Sequence, residues 1–110
     1  LVGFRCNVLT SATVVCRQKV LEVGMFDADM PRACAEDFDL WLRLARTGTK
    51  IGYQKKVLLK HRVSPTSLSG SSIQRARRNV LTLSRVREKY ELNAAEEKVL
   101  RETLAEAEAE

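Results

Sequence analysis

Phe38, Trp41, Leu42 and Ala45 recur at spacings of three and four, and this constrains the chain more than any other pattern in it. A helix of about 3.6 residues per turn gathers such positions on one side, so the spacing predicts a helix from about residue 37 to residue 47 with that side in the core. Asp37 and Asp39 fall in its first turn, where the positive end of the helix dipole favours negative charge. Arg43 and Arg46 fall toward its end, and Gly48 supplies a left-handed stop. One capping residue would satisfy these rules. Glu36 beside Asp37 is therefore surplus, and it has two readings. One is a doubled cap with a salt bridge to Arg43 or a nearby lysine; the other is a carboxylate set at the mouth of the helix to accept a proton.

Upstream, the run Ala12-Thr13-Val14-Val15-Cys16 predicts a buried strand, and Arg17 to Asp27 a short amphipathic helix closed by Gly24. Downstream, strands are predicted at Lys50 to Tyr53 and at Val57 to Val63, followed by a Ser-, Pro- and Gly-rich loop from Ser64 to Ser72.

The order Asn7-x-x-x-Ser11, Val15-x-Arg17, Val23-Gly24-x-Phe26-Asp27, Glu36-Asp37-Phe38-Asp39-Leu40-Trp41-Leu42-Arg43, Gly48 and Arg62-x-x-x-x-Ser67-x-Ser69 resembles the C-terminal half of family-2 glycosyltransferases with the GT-A fold. The resemblance covers residues 7 to about 70, and its acidic-aromatic-aspartate-leucine-tryptophan segment is the most specific part. It implies an α/β fold, a partial GT-A-like mixed sheet flanked by helices, to which the helix patterning after residue 70 adds a C-terminal helical hairpin. Residues 1–70 would then form the acceptor-side half of the transferase domain and residues 71–110 the C-terminal helices.

The activity implied is inverting transfer of a sugar from a nucleotide-diphosphate donor to an acceptor hydroxyl, in cell-surface polysaccharide or glycolipid synthesis. Asp37 stands in the place of the family's general base. Direct displacement at an anomeric carbon needs a hydroxyl that loses its proton as it attacks, and one carboxylate within reach suffices. A glycoside hydrolase needs two separated carboxyls, a division of labour that adjacent residues are poorly placed to perform. Glu36 is expected to contact acceptor hydroxyls or to hold Asp37. Family members also grip a divalent ion, Mg or Mn, through an upstream aspartate motif on the nucleotide-binding half. The main metal ligands are therefore expected outside these residues, none is assigned here, and the isolated chain is expected to be inactive.

Asp27-Ala28-Asp29 does spell Asp-x-Asp. It follows the Val23-Gly24-x-Phe26 turn, where the family has a non-metal loop, and it reads as a solvated turn closed by Pro31. Many relatives carry a histidine two residues after the arginine equivalent to Arg62; Ser64 stands there, and the single histidine, His61, precedes the arginine. A lone strand histidine is more often a packed or hydrogen-bonded core residue than a displaced ligand. Arg62, beside the hydroxyl-bearing Ser64 and Ser67, has two readings. It either forms paired bonds to substrate phosphate oxygens or pairs with Glu36 or Asp37.

At 110 residues the chain is of single-domain size, and its 45% hydrophobic and 30% charged residues fit a globular domain. No apolar run approaches the roughly 20 residues of a membrane span. Cys6, Cys16 and Cys34 are odd in number and lack metal spacing, which favours a reducing cytoplasm, each thiol a small buried apolar group.

Charge is uneven: 17 basic against 7 acidic residues up to residue 90, then 2 against 7. Arg75, Arg77, Arg78, Arg85, Arg87 and Lys89 lie on a helix predicted from Ser72 to Tyr90, whose other face carries Ile73, Ala76, Val80, Leu83 and Val86. Such a helix suits anionic lipid at the inner face of the membrane, in keeping with a carbohydrate or lipid-linked acceptor, though a solvated face is the commonest outcome. Nucleic acid is disfavoured, because only 5% of residues are aromatic and no finger or RNA-binding signature occurs. Asn93 and Glu96 form a helix-start pattern, and the helix that follows would pair with the basic one across Glu91-Leu92. The rival to a transferase is a non-catalytic binding or assembly module using the basic helix, and a bare sheet edge would favour self-association.

Overall fold

The structure, a computed structural model, describes residues 8–67 and 72–109. A 3-10 turn at Thr10–Ala12 precedes α1 (Arg17–Glu22), α2 (Glu36–Arg46), α3 (Ser72–Lys89) and α4 (Ala94–Ala109). Among the described residues there is no strand, which overturns the expected α/β fold with its GT-A-like mixed sheet. A strand exists through ladder bonds to a neighbour, and β-branched composition does not replace them. The three expected strands have no such neighbour here. The first gives way partly to the 3-10 turn, and Val14 beyond it is wholly exposed. Residues 50–63 form no regular element, and Ile51, Tyr53, Val57, Leu58 and Val63 lie exposed. Cys6, Asn7, Ser69 and residues 68–71 of the expected loop lie outside the described residues.

α2 is the centre of the fold. Phe38 and Leu42 pack with Leu83 and Val86 of α3 and Leu100 of α4. Leu40, Trp41 and Leu44 pack the other way, against Val8, Val20 and Val23. The expected single apolar face is thus two, because α2 lies between α1 and the α3/α4 pair. α3 buries only its C-terminal half, through Thr82, Leu83 and Val86, and Ile73 is exposed instead of facing the core.

Polar clips join these layers. α1 ends at Gly24, which adopts φ 87°, with Gly24 N–H donating to Leu21 O and Met25 N–H to Val20 O. Met25 follows at φ 62°, uncommon for a side chain. Arg43 of α2 holds that turn, donating to Val23 O and Met25 O at 2.6 Å each while its Nε pairs with Asp39 at 2.9 Å. Thr82 accepts the Ala35 N–H at 2.7 Å, tying the entry of α2 to α3. Gly48, at φ 73°, closes α2. Asn93 and Glu96 bond each other's backbone N–H at the start of α4, and Arg46 reaches Glu96 at 3.2 Å. Arg87 bridges α3 to Glu97 at 2.8 Å.

Two smaller expectations change. Cys34 is buried, but Cys16 is exposed. Asp27 is not a solvated residue: its side chain, 9% exposed, meets Lys89 at 2.7 Å and Arg85 at 3.1 Å, and it also accepts the Asp29 N–H. Lys89 first, then Arg85, hold its carboxyl well below the usual carboxylate range, and Asp27 raises both cations in return.

Candidate functional site

The first turn of α2 carries three carboxylates, and the structure gives each a different environment. Asp39 faces inward and is neutralised by Arg43; its side chain is 2% exposed. Glu36 points outward, 58% exposed, with Arg78 at 3.6 Å, a loose pairing since the same Arg78 nitrogen donates to Cys34 O at 2.9 Å. Asp37 is half-buried and meets no cation among the described residues. Arg43, its expected partner in the doubled-cap reading, is committed to Asp39 and two carbonyls.

Asp37 instead receives two neutral donors. Its Oδ2 accepts the Thr10 hydroxyl at 2.8 Å, and its Oδ1 accepts the Phe38 N–H at 2.8 Å. Thr10 in turn accepts the Trp41 indole N–H at 3.4 Å. Each carboxylate oxygen has two lone pairs, so both retain capacity to accept a further proton donor. The turn can therefore present a negatively charged, oriented acceptor of protons, and its neighbour Glu36 is exposed enough to hydrogen-bond a polyol.

The other sequence candidates are not brought to this turn by any hydrogen bond or ion pair among the described residues. Arg62 is exposed and pairs with neither Glu36 nor Asp37. Ser64 and Ser67 bond locally, Ser64 Oγ with Thr66 Oγ1 at 3.0 Å and Ser67 Oγ to Ser64 O at 2.9 Å. His61 is exposed rather than packed.

The residues present do not fit a divalent ion. Among the described residues no three His, Cys, Asp or Glu side chains converge. Of the Asp-x-Asp pair, Asp27 is locked between Lys89 and Arg85. An open groove of about 500 Å³ lies along the C-terminal half of α2, lined by Glu22, Arg43, Arg46 and Glu96 among others. It does not include Asp37; in it Arg46 pairs with Glu96, and Arg43 and Glu22 are held by Asp39 and Lys19.

The basic helix is also largely committed. Arg78 reaches Cys34 and Glu36, Arg85 and Lys89 hold Asp27, and Arg87 pairs with Glu97. Arg75 and Arg77 are exposed. No helix of the described residues is long and apolar enough to cross a membrane.

Sequence reasoning missed Thr10, and it took Trp41 only as core. No local rule links residues 27 positions apart, and the one available hint was that Thr10 lies within the Asn7-x-x-x-Ser11 segment. Residues 1–97 match the profile of a family described as glycosyl transferase family group 2. No curated protein and no solved structure matches the chain.

Proposed function

Because the chain belongs to glycosyl transferase family group 2, we propose that α2 supplies the base that activates the acceptor in an inverting sugar transfer, and that Asp37 is that base. The acceptor hydroxyl oxygen bonds the anomeric carbon from the side opposite the leaving group. The bond from that carbon to the diphosphate oxygen breaks, its electron pair leaves with the nucleoside diphosphate, and the hydroxyl proton passes to Asp37. A diphosphate departs without being protonated, so such a donor asks the protein for one base and no general acid. This suits a turn in which one carboxylate meets no cation among the described residues.

The observation that carries the reading is the difference among three neighbours: Asp39 is neutralised by Arg43, Glu36 is loosely paired with Arg78, and Asp37, among the described residues, bonds the Thr10 hydroxyl and the Phe38 N–H. Glu36 is assigned to acceptor hydroxyls. Arg62, with Ser64 and Ser67 beside it, is assigned to donor phosphate oxygens, a role supported by its exposure. The acceptor class is a carbohydrate or lipid-linked glycan of cell-surface polysaccharide or glycolipid synthesis, handled at the cytoplasmic face of a membrane, with Arg75 and Arg77 the α3 cations open to anionic headgroups. A non-catalytic module built on the basic helix is less well supported, since Arg78, Arg85, Arg87 and Lys89 serve internal contacts. No step is routed through a metal ion on these residues.

The test is Asp37→Asn in the transfer-competent protein. Turnover is expected to fall about 10²- to 10⁴-fold, the range of general-base contributions, while nucleotide-sugar binding measured by calorimetry persists. Unchanged turnover would remove Asp37 from its role.

A further inference from the structure

We infer that Thr10 and Trp41 form a directed hydrogen-bond relay that positions the Asp37 carboxylate, making Thr10 a positioning residue for the transfer; this rests on Asp37 being the base. The direction of the relay is fixed by chemistry. An indole nitrogen can only donate, so the Thr10 oxygen must accept from Trp41 Nε1 at 3.4 Å. An ionised carboxylate can only accept, so the single Thr10 proton must point to Asp37 Oδ2 at 2.8 Å. The other oxygen, Oδ1, is held by the Phe38 N–H at 2.8 Å. One donor on each oxygen fixes the carboxylate plane, which would otherwise turn about its last torsion.

The two anchors differ in kind. Phe38 N–H belongs to the same helix turn and is present whenever α2 forms. Thr10 arrives from the 3-10 turn 27 residues upstream, so its bond exists only when that turn is docked on α2. Trp41 secures the docking twice, through its N–H and through the packing of Leu40, Trp41 and Leu44 against Val8. The base is thus aligned by a tertiary contact, and a base held in its working orientation removes a reorganisation step from the barrier.

The experiment uses Thr10→Val, which keeps shape and removes the hydroxyl, Thr10→Ser, which restores it, and Trp41→Phe, which removes the indole donor. In the transfer-competent protein, Thr10→Val is expected to lower kcat about tenfold, as expected for one lost hydrogen bond to a charged group, with KM for donor and acceptor within about twofold. Thr10→Ser should recover most of that loss, and Trp41→Phe should lower kcat about threefold. In the 110-residue chain the single tryptophan gives one indole N–H resonance. It should move in Thr10→Val and also in Asp37→Asn, because the indole hydrogen bond reaches Asp37 through Thr10. If Asp37→Asn abolishes transfer while Thr10→Val and Trp41→Phe both retain full kcat, the relay is overturned and the base remains. If Asp37→Asn retains full kcat, the base reading fails and the positioning role falls with it.

Discussion

Removing the Arg43 guanidinium should unfold more of this protein than any surface change of equal size, and its cost can be worked from the contacts. Arg43→Ala leaves the Asp39 carboxylate, 2% exposed, without its cation at 2.9 Å. Breaking a buried pair by deleting one partner costs about 3–5 kcal/mol, because a charge remains out of water. The orphaned carbonyls of Val23 and Met25 add little, since water reaches Met25, which is 51% exposed. Asp39→Ala should cost less, about 1–3 kcal/mol, because Arg43 keeps both carbonyl bonds. The double variant Asp39→Leu with Arg43→Met removes both charges and should fall within about 2 kcal/mol of the parent. Urea titration followed by helical circular dichroism and by Trp41 fluorescence measures all three. With a slope of about 1–3 kcal/mol/M, the midpoint of Arg43→Ala should drop by about 2 M. If Arg43→Ala is no worse than Asp39→Ala, and the double variant is worse than either, then Arg43 is not compensating a buried charge and the account of α2 as a neutralised core helix is wrong.

The remaining predictions concern the other clips. Lys89 and Arg85 hold the Asp27 carboxyl far below its ordinary value of 3.8. Its contribution is therefore complete above that value and is lost as the pH falls below it toward the lower native one. Asp27→Asn should accordingly flatten the drop in thermal midpoint between about pH 5 and pH 2 that the parent shows; an unaltered pH profile would mean that the pair contributes nothing to folding. Asn93→Ala removes the Oδ1 acceptor of the Glu96 N–H, while the residue-93 backbone N–H that lowers the Glu96 carboxyl stays. It should cost about 1 kcal/mol in a urea titration, with the loss confined to α4 by hydrogen exchange.

What the sequence revealed and concealed divides by the range of the interactions. The central helix, its stop at Gly48 and the Asn93/Glu96 start were legible because spacing and caps act within a turn or two of chain. The Asp39/Arg43 pair also has a local signature, four residues apart on a helix, which Asp37 and Arg43 lack. Strands were overestimated, since Val14, Ile51 and Val57 have the right composition but a ladder depends on a partner that no local pattern supplies. Asp27 looked solvated for the same reason, its cations lying 58 and 62 residues away. At the candidate site, the adjacency of Glu36 and Asp37 was visible, but which carboxylate would meet no cation among the described residues was not. That depended on Arg43 choosing Asp39 and on Thr10 arriving from another element.

Residues 50–63 carry a consequence of their own. Ile51, Tyr53, Val57, Leu58 and Val63 stand in water and add nothing to either apolar cluster. Each would gain about 1.5–3 kcal/mol on full covering, against about 1–2 kcal/mol for immobilising each residue's backbone. Five side chains stand against fourteen backbones, so the ordering cost exceeds the covering gain. A surface that covered these side chains would have to supply the difference, and recognition and ordering there would be one thermodynamic event.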